Sequence, residues 1–496
     1  MRRSLPTPLL APAFLCLAPV GGLVAQCSIG WTNLGTGIDN AVFALAAMPN
    51  GDIVAGGSLT TAGGVAANLV ARWNGSTWSP LGIGASGGFV FALATLANGD
   101  LVAGGSFQFA GGISVQRIAR WNGAAWSALG TGIGGTVTAL VQLPSGDLVA
   151  GGTFATAGGV AANNIARWNG SSWSALGVGV DGLVSALTVL PNGDLVVGGS
   201  FLNAGGAPAV GIARWNGASW SALGSGVNGY VTSLVTLQNG DCVAGGYFTT
   251  AGGTPAPDVA RWTGSAWSSL STGVTSLVNA LGKLPNGDLV VGGYFNAAGG
   301  VPADRIARWN GASWSALGAG FNNPVNALVT SPNGYLFAAG GFASSGGTPL
   351  DRIARVTTSC PASASVGAPG CAGSGGANNY AAVSLPWIGA TFRGRGTAIP
   401  LQAFVVVVTG FAATSLPLAS LLPPAPAGCN LLATPDGLDV TLSNAGTVDT
   451  ALVIPNAAAL IGLSLTQQLV LLEFDASLAL VENTSSNALV LTVGAF

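Results

Sequence analysis

From Trp31 to Val356 the chain repeats one order of apolar and polar positions. The copy at residues 137–179 shows it. Residues 137–143 alternate apolar with polar, the period of a strand covered on one face. Pro144-Ser145-Gly146-Asp147 is a tight turn, and most copies carry Asn-Gly-Asp there, a hairpin signal. Residues 148–154 form a second strand containing Gly151-Gly152, and Ala157-Gly158-Gly159 opens a longer loop. Residues 164–168 are a third strand, Asn169-Gly170 turns the chain, and residues 173–176 are a fourth. Gly177-Val178-Gly179 leads into the next copy.

The period is regular. The arginines of an Ile/Val-Ala-Arg-Trp phrase are Arg72, Arg120, Arg167, Arg214, Arg261, Arg308 and Arg355, spaced by 48 once and then by 47. Trp31, Trp78, Trp126, Trp173, Trp220, Trp267 and Trp314 repeat the spacing. So do Asp52, Asp100, Asp147, Asp194, Asp241 and Asp288, until Tyr335 takes the seventh place. The Asp-to-Arg interval is always 20, so the extra residue of the second copy lies between Trp78 and Asp100, with Ala85-Ser86-Gly87-Gly88 its expected place. A four-stranded unit cannot bury both faces alone, but seven packed face to face in a ring can. The expectation is an all-β chain whose residues 26–359 form a seven-bladed β-propeller.

The apolar strand ending in Gly-Gly, the aromatic at Trp168 and the following Trp173 resemble the kelch-type propeller, whose repeat is about 50 residues. Kelch units usually carry Tyr where this chain has Trp168. The units are also similar to secreted propellers related to fungal cortical cell-polarity markers. The resemblance spans Trp31 to Val356 and implies a fold, with no activity attached. Phase alone predicts closure. The first unit begins at an outer-strand tryptophan, Trp31, and the last ends at Arg355-Val356 without one. The N-terminal strand is therefore expected to complete the last blade.

Residues 1–25 read as a secretory signal peptide: Met1-Arg2-Arg3, a short apolar run broken by Pro12 and Pro19, and Leu23-Val24-Ala25 before Gln26. Export permits disulfides. Cys27 and Cys360 fall in the same gap of the repeat frame, so a Cys27–Cys360 bridge clasping the ring is expected. Cys371 and Cys429 then form a second pair, and a Cys360–Cys371 bridge is the competitor. Cys242 stands where sister units have Leu or Ile and reads as a buried free thiol.

Beyond Thr357 the frame is lost. Residues 360–379 are rich in Ser, Ala, Gly and Pro and read as a linker. Residues 380–496 hold short β-like runs at 391–394, 403–409, 430–433, 438–442, 451–454, 469–474, 478–482 and 488–493, the pattern of a small β-sandwich. Gly370-Cys371-Ala372-Gly373, Gly428-Cys429-Asn430-Leu431 and Ile454-Pro455-Asn456 resemble a C-terminal domain of secreted planctomycete proteins, which implies a surface or export accessory. The apolar stretch 401–422 reads as buried strands, with β-branched Val405–Val408, and no membrane span is expected once the signal is removed.

Composition then narrows the chemistry. Of 496 residues, 79 are glycine, 6% are charged, and histidine is absent. An ordinary soluble chain has roughly 25% charged residues. With 15 basic against 17 acidic residues, no basic surface exists for nucleic acid. Absent histidine removes His-dependent triads and imidazole metal sites, and no cofactor is expected. The recurring Gly-x-Gly lacks the strand-to-helix setting of a nucleotide fingerprint. Most remaining charges belong to the repeat. The antiparallel second and third strands bring Asp52 to Arg72, Asp100 to Arg120, Asp147 to Arg167, Asp194 to Arg214, Asp241 to Arg261 and Asp288 to Arg308, as scaffold ion pairs. Arg355, facing Tyr335, is expected to find another partner. The Gly-Gly pairs are read as letting inner strands crowd toward the axis.

Up-and-down strands place the tight turns on one face of the ring and the longer, variable connections on the other. A ligand is expected on that second face, near the axis. Asp39, Asp181, Tyr230, Asn322 and Asn323 are the candidate residues. No glutamate occurs in the propeller, so a paired-carboxylate hydrolase has little to work with. The reading is a monomeric, secreted or cell-surface binding protein for a glycan or protein ligand, not an enzyme. A structural envelope protein is the alternative.

Overall fold

The computed structural model describes residues 29–358 without a break. Beyond them it describes 363–366, 372–373, 376–377, 379–383, 391–399, 403–411, 413–418, 430–433, 435–442, 447–454, 464–474, 480–486 and 488–492. The expected signal peptide and all four cysteines of the expected bridges, Cys27, Cys360, Cys371 and Cys429, lie outside the described residues. No α-helix occurs among those described, and none is long and apolar enough to cross a membrane.

Residues 29–358 form seven four-stranded antiparallel sheets. The first is typical: Val42–Ala47, Ile53–Gly57, Val70–Trp73 and Trp78–Pro80, in chain order from axis to rim. The sheet of the last unit is different in origin. Val325–Thr330, Leu336–Gly340 and Ile353–Thr358 take their fourth strand from Ile29–Asn33, with Trp31 opposite Val356. The innermost strands pack one against the next, and Val325–Thr330 packs back onto Val42–Ala47, so the circle closes. This arrangement is a β-propeller. Its core is divided into layers between neighbouring sheets: Val54 and Val70 of the first sheet share one with Leu101, Ala103 and Trp126 of the second.

The glycine pairs serve these layers. A Cβ on Gly56 would stand 2.5 Å from Val90 Cγ1 of the next sheet, and one on Gly57 would stand 2.1 Å from the Ala41 carbonyl oxygen. The first glycine makes room for the next sheet, and the second for the chain entering the inner strand of its own sheet. Each inner strand also bulges, as between Val42 and Ala44, so that one residue per unit is turned out of the ladder.

Every unit is tied to its neighbour by an indole. Trp78 Nε1 donates to Leu34 O, Trp126 to Leu81 O, Trp173 to Leu129 O, Trp220 to Leu176 O, Trp267 to Leu223 O and Trp314 to Leu270 O, all at 2.8–2.9 Å. Trp31 Nε1 donates to Leu317 O at 3.1 Å, the same bond across the closure. A buried indole N–H needs such a partner.

Two stretches read as loop or linker hold paired strands. Ala157-Gly158-Gly159, expected to open a longer loop, lies in a hairpin within that connection. Thr156–Ala157 and Val160–Ala161 pair as a small hairpin, turned by Gly158 and Gly159 at φ +60° and +80°. Two successive residues at positive φ make the tightest hairpin turn, which glycine takes without strain. Second, within the expected linker 360–379, Ser363–Val366 pairs with Leu489–Thr492, and Ala372–Gly373 with Gly376–Ala377. Small residues carry no periodic apolar signal, yet their backbone groups pair as well as any. In the C-terminal region Phe404–Gly410 lies between Gly437–Leu442 and Ser464–Phe474. A second sheet contains Asn379–Ala382, Thr391–Thr397 and Thr447–Val453. Tyr380, Phe392 and Val448 of this sheet share one apolar cluster with Val405, Leu469 and Leu491 of the other.

Candidate functional site

The six repeated ion pairs are scaffold by geometry. Arg Nε lies 3.6 Å from the carboxylate in Arg72–Asp52 and Arg167–Asp147, 3.5 Å in Arg214–Asp194 and 3.7 Å in Arg261–Asp241. It lies 2.6 Å away in Arg120–Asp100, and Arg308 pairs with Asp288 in the same way. The turn asparagine joins in: Asn50 Nδ2 donates to Asp52 Oδ2 at 2.9 Å. The arginines are partly exposed, so each pair contributes about 0–1 kcal/mol. Arg355 lies 4.9 Å over the centre of the Tyr335 ring, a cation–π contact in place of the ion pair.

Three of the five candidate ligand residues are engaged within their own connections. Asp39 accepts from Thr60 N at 3.0 Å, Thr61 N at 3.1 Å and the Thr60 hydroxyl. Asp181 accepts from Leu202 N and Asn203 N at 2.9 Å and from Asn203 Nδ2 at 2.6 Å. Asn322 accepts from Ala343 N at 2.9 Å and Ser344 N at 3.0 Å. These residues share one repeat position, held elsewhere by Asn228 and Thr275, which make equivalent bonds. They clamp the second connection in five of the seven units. Burial pulls the Asp39 and Asp181 pKa values up, but the bonds from Thr60 and Thr61, and from Asn203 and Leu202, together hold both below the usual 3.8. Asn323 is exposed beside Asn322. Sequence reading picked out these residues because they vary. In fact they vary among side chains that can all cap the same two amides.

Tyr230 is different. It begins the inner strand Tyr230–Thr236, at the mouth of the axial channel on the face of the variable connections. It stands opposite Tyr247, with ring centres 5.7 Å apart and planes at 33°. Tyr294 occupies the Tyr247 position one period later, on the next sheet. On units one and two, Phe43, Phe89 and Phe91 form a second aromatic group, with centres 5.5–6.3 Å apart. Tyr247 and Tyr294 were missed in the sequence. Their signal was present there, because they interrupt a series of small residues.

Below the mouth the channel encloses about 280 Å³, lined by Leu45, Leu93, Leu140, Leu187, Leu234, Leu281 and Leu328 with small and neutral polar side chains. The bulged residues are Phe43, Phe91, Thr138, Ser185, Thr232, Asn279 and Asn326. Several of them stitch the ring. Thr138 donates to Val184 O and Thr232 to Val278 O, while Asn279 Nδ2 reaches Asn326 Oδ1 and Asn326 Nδ2 reaches Val42 O, both at 3.1 Å. Lys283, the one lysine, donates to Thr236 O at 2.6 Å, and burial lowers its pKa. Cys242 is buried and free, its thiol pushed up to about 12 by burial and by Asp241. A thiol held protonated is inert.

A larger cavity, about 540 Å³, lies in the C-terminal sheets beside Asp436, Asp439 and Asp449. Its carboxylates are occupied. Asp449 takes two bonds from Arg395 at 2.6 and 3.0 Å, Asp436 accepts from Phe411 N and Asp439 from Val440 N. Among the described residues no three His, Cys, Asp or Glu gather as a metal site.

Comparison with known proteins agrees with the ring. The family described as a domain of unknown function (DUF5122) beta-propeller matches residues 190–217 and 284–311, the same phase of the repeat two periods apart. The WD40 β-propeller domain of Doa1 is similar at 15% identity, over 68% of this chain and 98% of that one, with TM-score 0.44. The extracellular domain of a one-component system from B. thetaiotaomicron is similar at 9% identity, over 95% of this chain and 58% of that one, with TM-score 0.41. Likenesses this loose do not bear on what the chain does. No curated protein matches it.

Proposed function

We propose that the chain is a secreted or cell-surface binding protein: a kelch-like, seven-bladed propeller followed by a C-terminal β-sandwich of the planctomycete type. The propeller is the scaffold, and the ligand sits over the axial channel on the face of the variable connections. One observation carries this reading. The aromatic side chains that break the repeat collect at that mouth, whereas the repeat's charged side chains are used up in holding the ring. Rigid strands presenting exposed aromatics make a recognition surface.

Catalysis is not proposed. The residues lining the axial channel are neutral, and Asp39 and Asp181, the carboxylates of the inter-unit connections, are committed to backbone amides. Chemistry on a substrate needs an acid, base or nucleophile free to act.

The test is a binding screen of the full secreted chain against arrays of glycans, cell-wall polymers and envelope proteins. Specific capture of one class, lost when Tyr230 and Tyr247 are both replaced by Ala, supports the reading. Failure to capture anything favours a purely structural role in the envelope.

A further inference from the structure

Two register positions define the rim of the mouth, and each can be read around the whole ring. At the end of the second strand the seven units carry Ser58, Ser106, Thr153, Ser200, Tyr247, Tyr294 and Gly341. The small hydroxyls of the first two units have a structural use there. Ser58 Oγ donates to Ala41 O at 3.3 Å, and Ser106 Oγ accepts from Phe89 N at 3.0 Å. Tyrosine replaces this residue in two adjacent units only. The other position, at the start of the inner strand, is tyrosine once, at Tyr230, directly opposite Tyr247.

These phenols hold nothing together. Among the described residues no hydrogen bond is made by the hydroxyl of Tyr230, Tyr247 or Tyr294. These residues are 38%, 57% and 52% exposed. Three of the five tyrosines in the chain therefore stand on one arc of the rim. The backbone beneath is rigid, since the next residues, Phe248 and Phe295, are buried at 3% and 0% exposure. Apart from the Tyr230–Tyr247 ring pair, these large exposed rings replace small side chains without adding a hydrogen bond to the scaffold. They suit a ligand that offers flat apolar faces edged with hydroxyls.

We infer that this ligand is a neutral glycan chain, its sugar rings laid along Tyr230, Tyr247 and Tyr294. The inference rests on the reading that the mouth is the binding face, and it adds the ligand's chemistry. The arc itself carries no charged side chain. Of the carboxylates on this face, Asp39 and Asp181 are saturated by their own loops and Asp258 is buried, while Asp304 is exposed on the second connection of the sixth unit. A charged polymer gains little along the three rings themselves. A neutral sugar offers C–H faces to the rings and hydroxyls to the phenols.

Native affinity electrophoresis of the full chain tests this, with gels containing β-1,3-glucan, xylan, mannan or dextran, and polygalacturonate as the charged comparison. At least one neutral polymer is expected to retard the protein. Tyr247→Ala and Tyr294→Ala each weaken retardation about tenfold, whereas Tyr247→Phe and Tyr294→Phe, which keep the ring, stay within about threefold of the parent. Unchanged melting temperatures for the exposed-site variants show that folding is intact. Retardation insensitive to the Ala variants overturns the inference, as does retardation by polygalacturonate alone. A protein partner captured in a separate pull-down and lost in Tyr247→Ala overturns the glycan while leaving the mouth as the binding face. No capture of any ligand overturns both.

Discussion

The indole Nε1 of Trp31 donates to the carbonyl oxygen of Leu317 at 3.1 Å across 286 residues of chain. It is the seventh copy of a bond that every other unit makes 44 or 45 residues back. Here it joins the first described strand to the sixth sheet's connection, where no covalent continuity helps. Trp31 also packs on Phe321 at 4.8 Å, because Val356 stands where its tryptophan partner would be. Trp31→Phe keeps the ring and orphans the Leu317 carbonyl. The expected loss is about 1–3 kcal/mol, read by chemical denaturation. Hydrogen exchange should rise first in residues 29–33 and 353–358.

Asp258 makes stability depend on pH. It is buried, accepts from Phe248 N at 3.1 Å, and burial pushes its pKa up from 3.8 to about 6. Asn164 holds the same repeat position, accepting from Phe154 N and donating to Val180 O, both at 3.0 Å. The fold thus suits a protonated carboxyl better than a charged one. A carboxyl raised in the folded state contributes stability below its unfolded pKa and loses it as pH rises through the folded value. Between pH 4 and pH 7 the loss from this group is about 1 kcal/mol after screening. Asp258→Asn is expected to remove that slope and to stabilise the chain at pH 7. Urea unfolding of both proteins across this range checks it.

Asp181 shows the opposite sign. Its pKa is held below 3.8 by amide donors, so its contribution is present above its unfolded pKa and lost as pH falls through the lower folded value. The side chain is well exposed, so the effect stays below about 1 kcal/mol. Asp181→Asn should be nearly silent, since Asn228 does the same work one unit later. Asp181→Ala should loosen the 200–206 loop in hydrogen exchange, with ligand binding unchanged.

The glycine pairs give a steric test. A Cβ on Gly151 would lie 2.3 Å from Val184 Cγ1 of the next sheet. Gly151→Ala is therefore expected to cost about 1–3 kcal/mol by overpacking. In the seventh unit Ala339 takes this place and shares a cluster with Val42, so that interface already holds one more carbon. Ala339→Gly should cost about 1 kcal/mol or less. Thermal unfolding of the two variants ranks them.

What could be read from sequence followed from phase. Trp31 without a unit before it and Val356 without a tryptophan after it led to the closing sheet, because a ring must balance its strands. Asp52 and Arg72 were placed together because antiparallel strands fold the chain about a midpoint. The bulge was not legible: Thr138 and Asn279 are polar residues in an apolar strand, and only the register shift shows that they bond to the neighbouring unit. Nor was the left-handed position before the third strand, where Leu69, Arg117, Asn164, Asp258, Arg305 and Arg352 share positive φ. No common residue type marks it, since the two flanking strands impose the conformation. The rim tyrosines lay in plain sight, but their meaning depends on the register that sets Tyr230 against Tyr247 and puts Tyr294 on the next sheet.

The most direct measurement compares the parent with a Tyr247→Ala, Tyr294→Ala double variant, titrated with the neutral polysaccharide that retards the parent most. Binding by the parent and at least a hundredfold weaker binding by the double variant, at equal melting temperature, is the expected result. Equal affinity in the two proteins would contradict the assignment of the propeller mouth as the binding site.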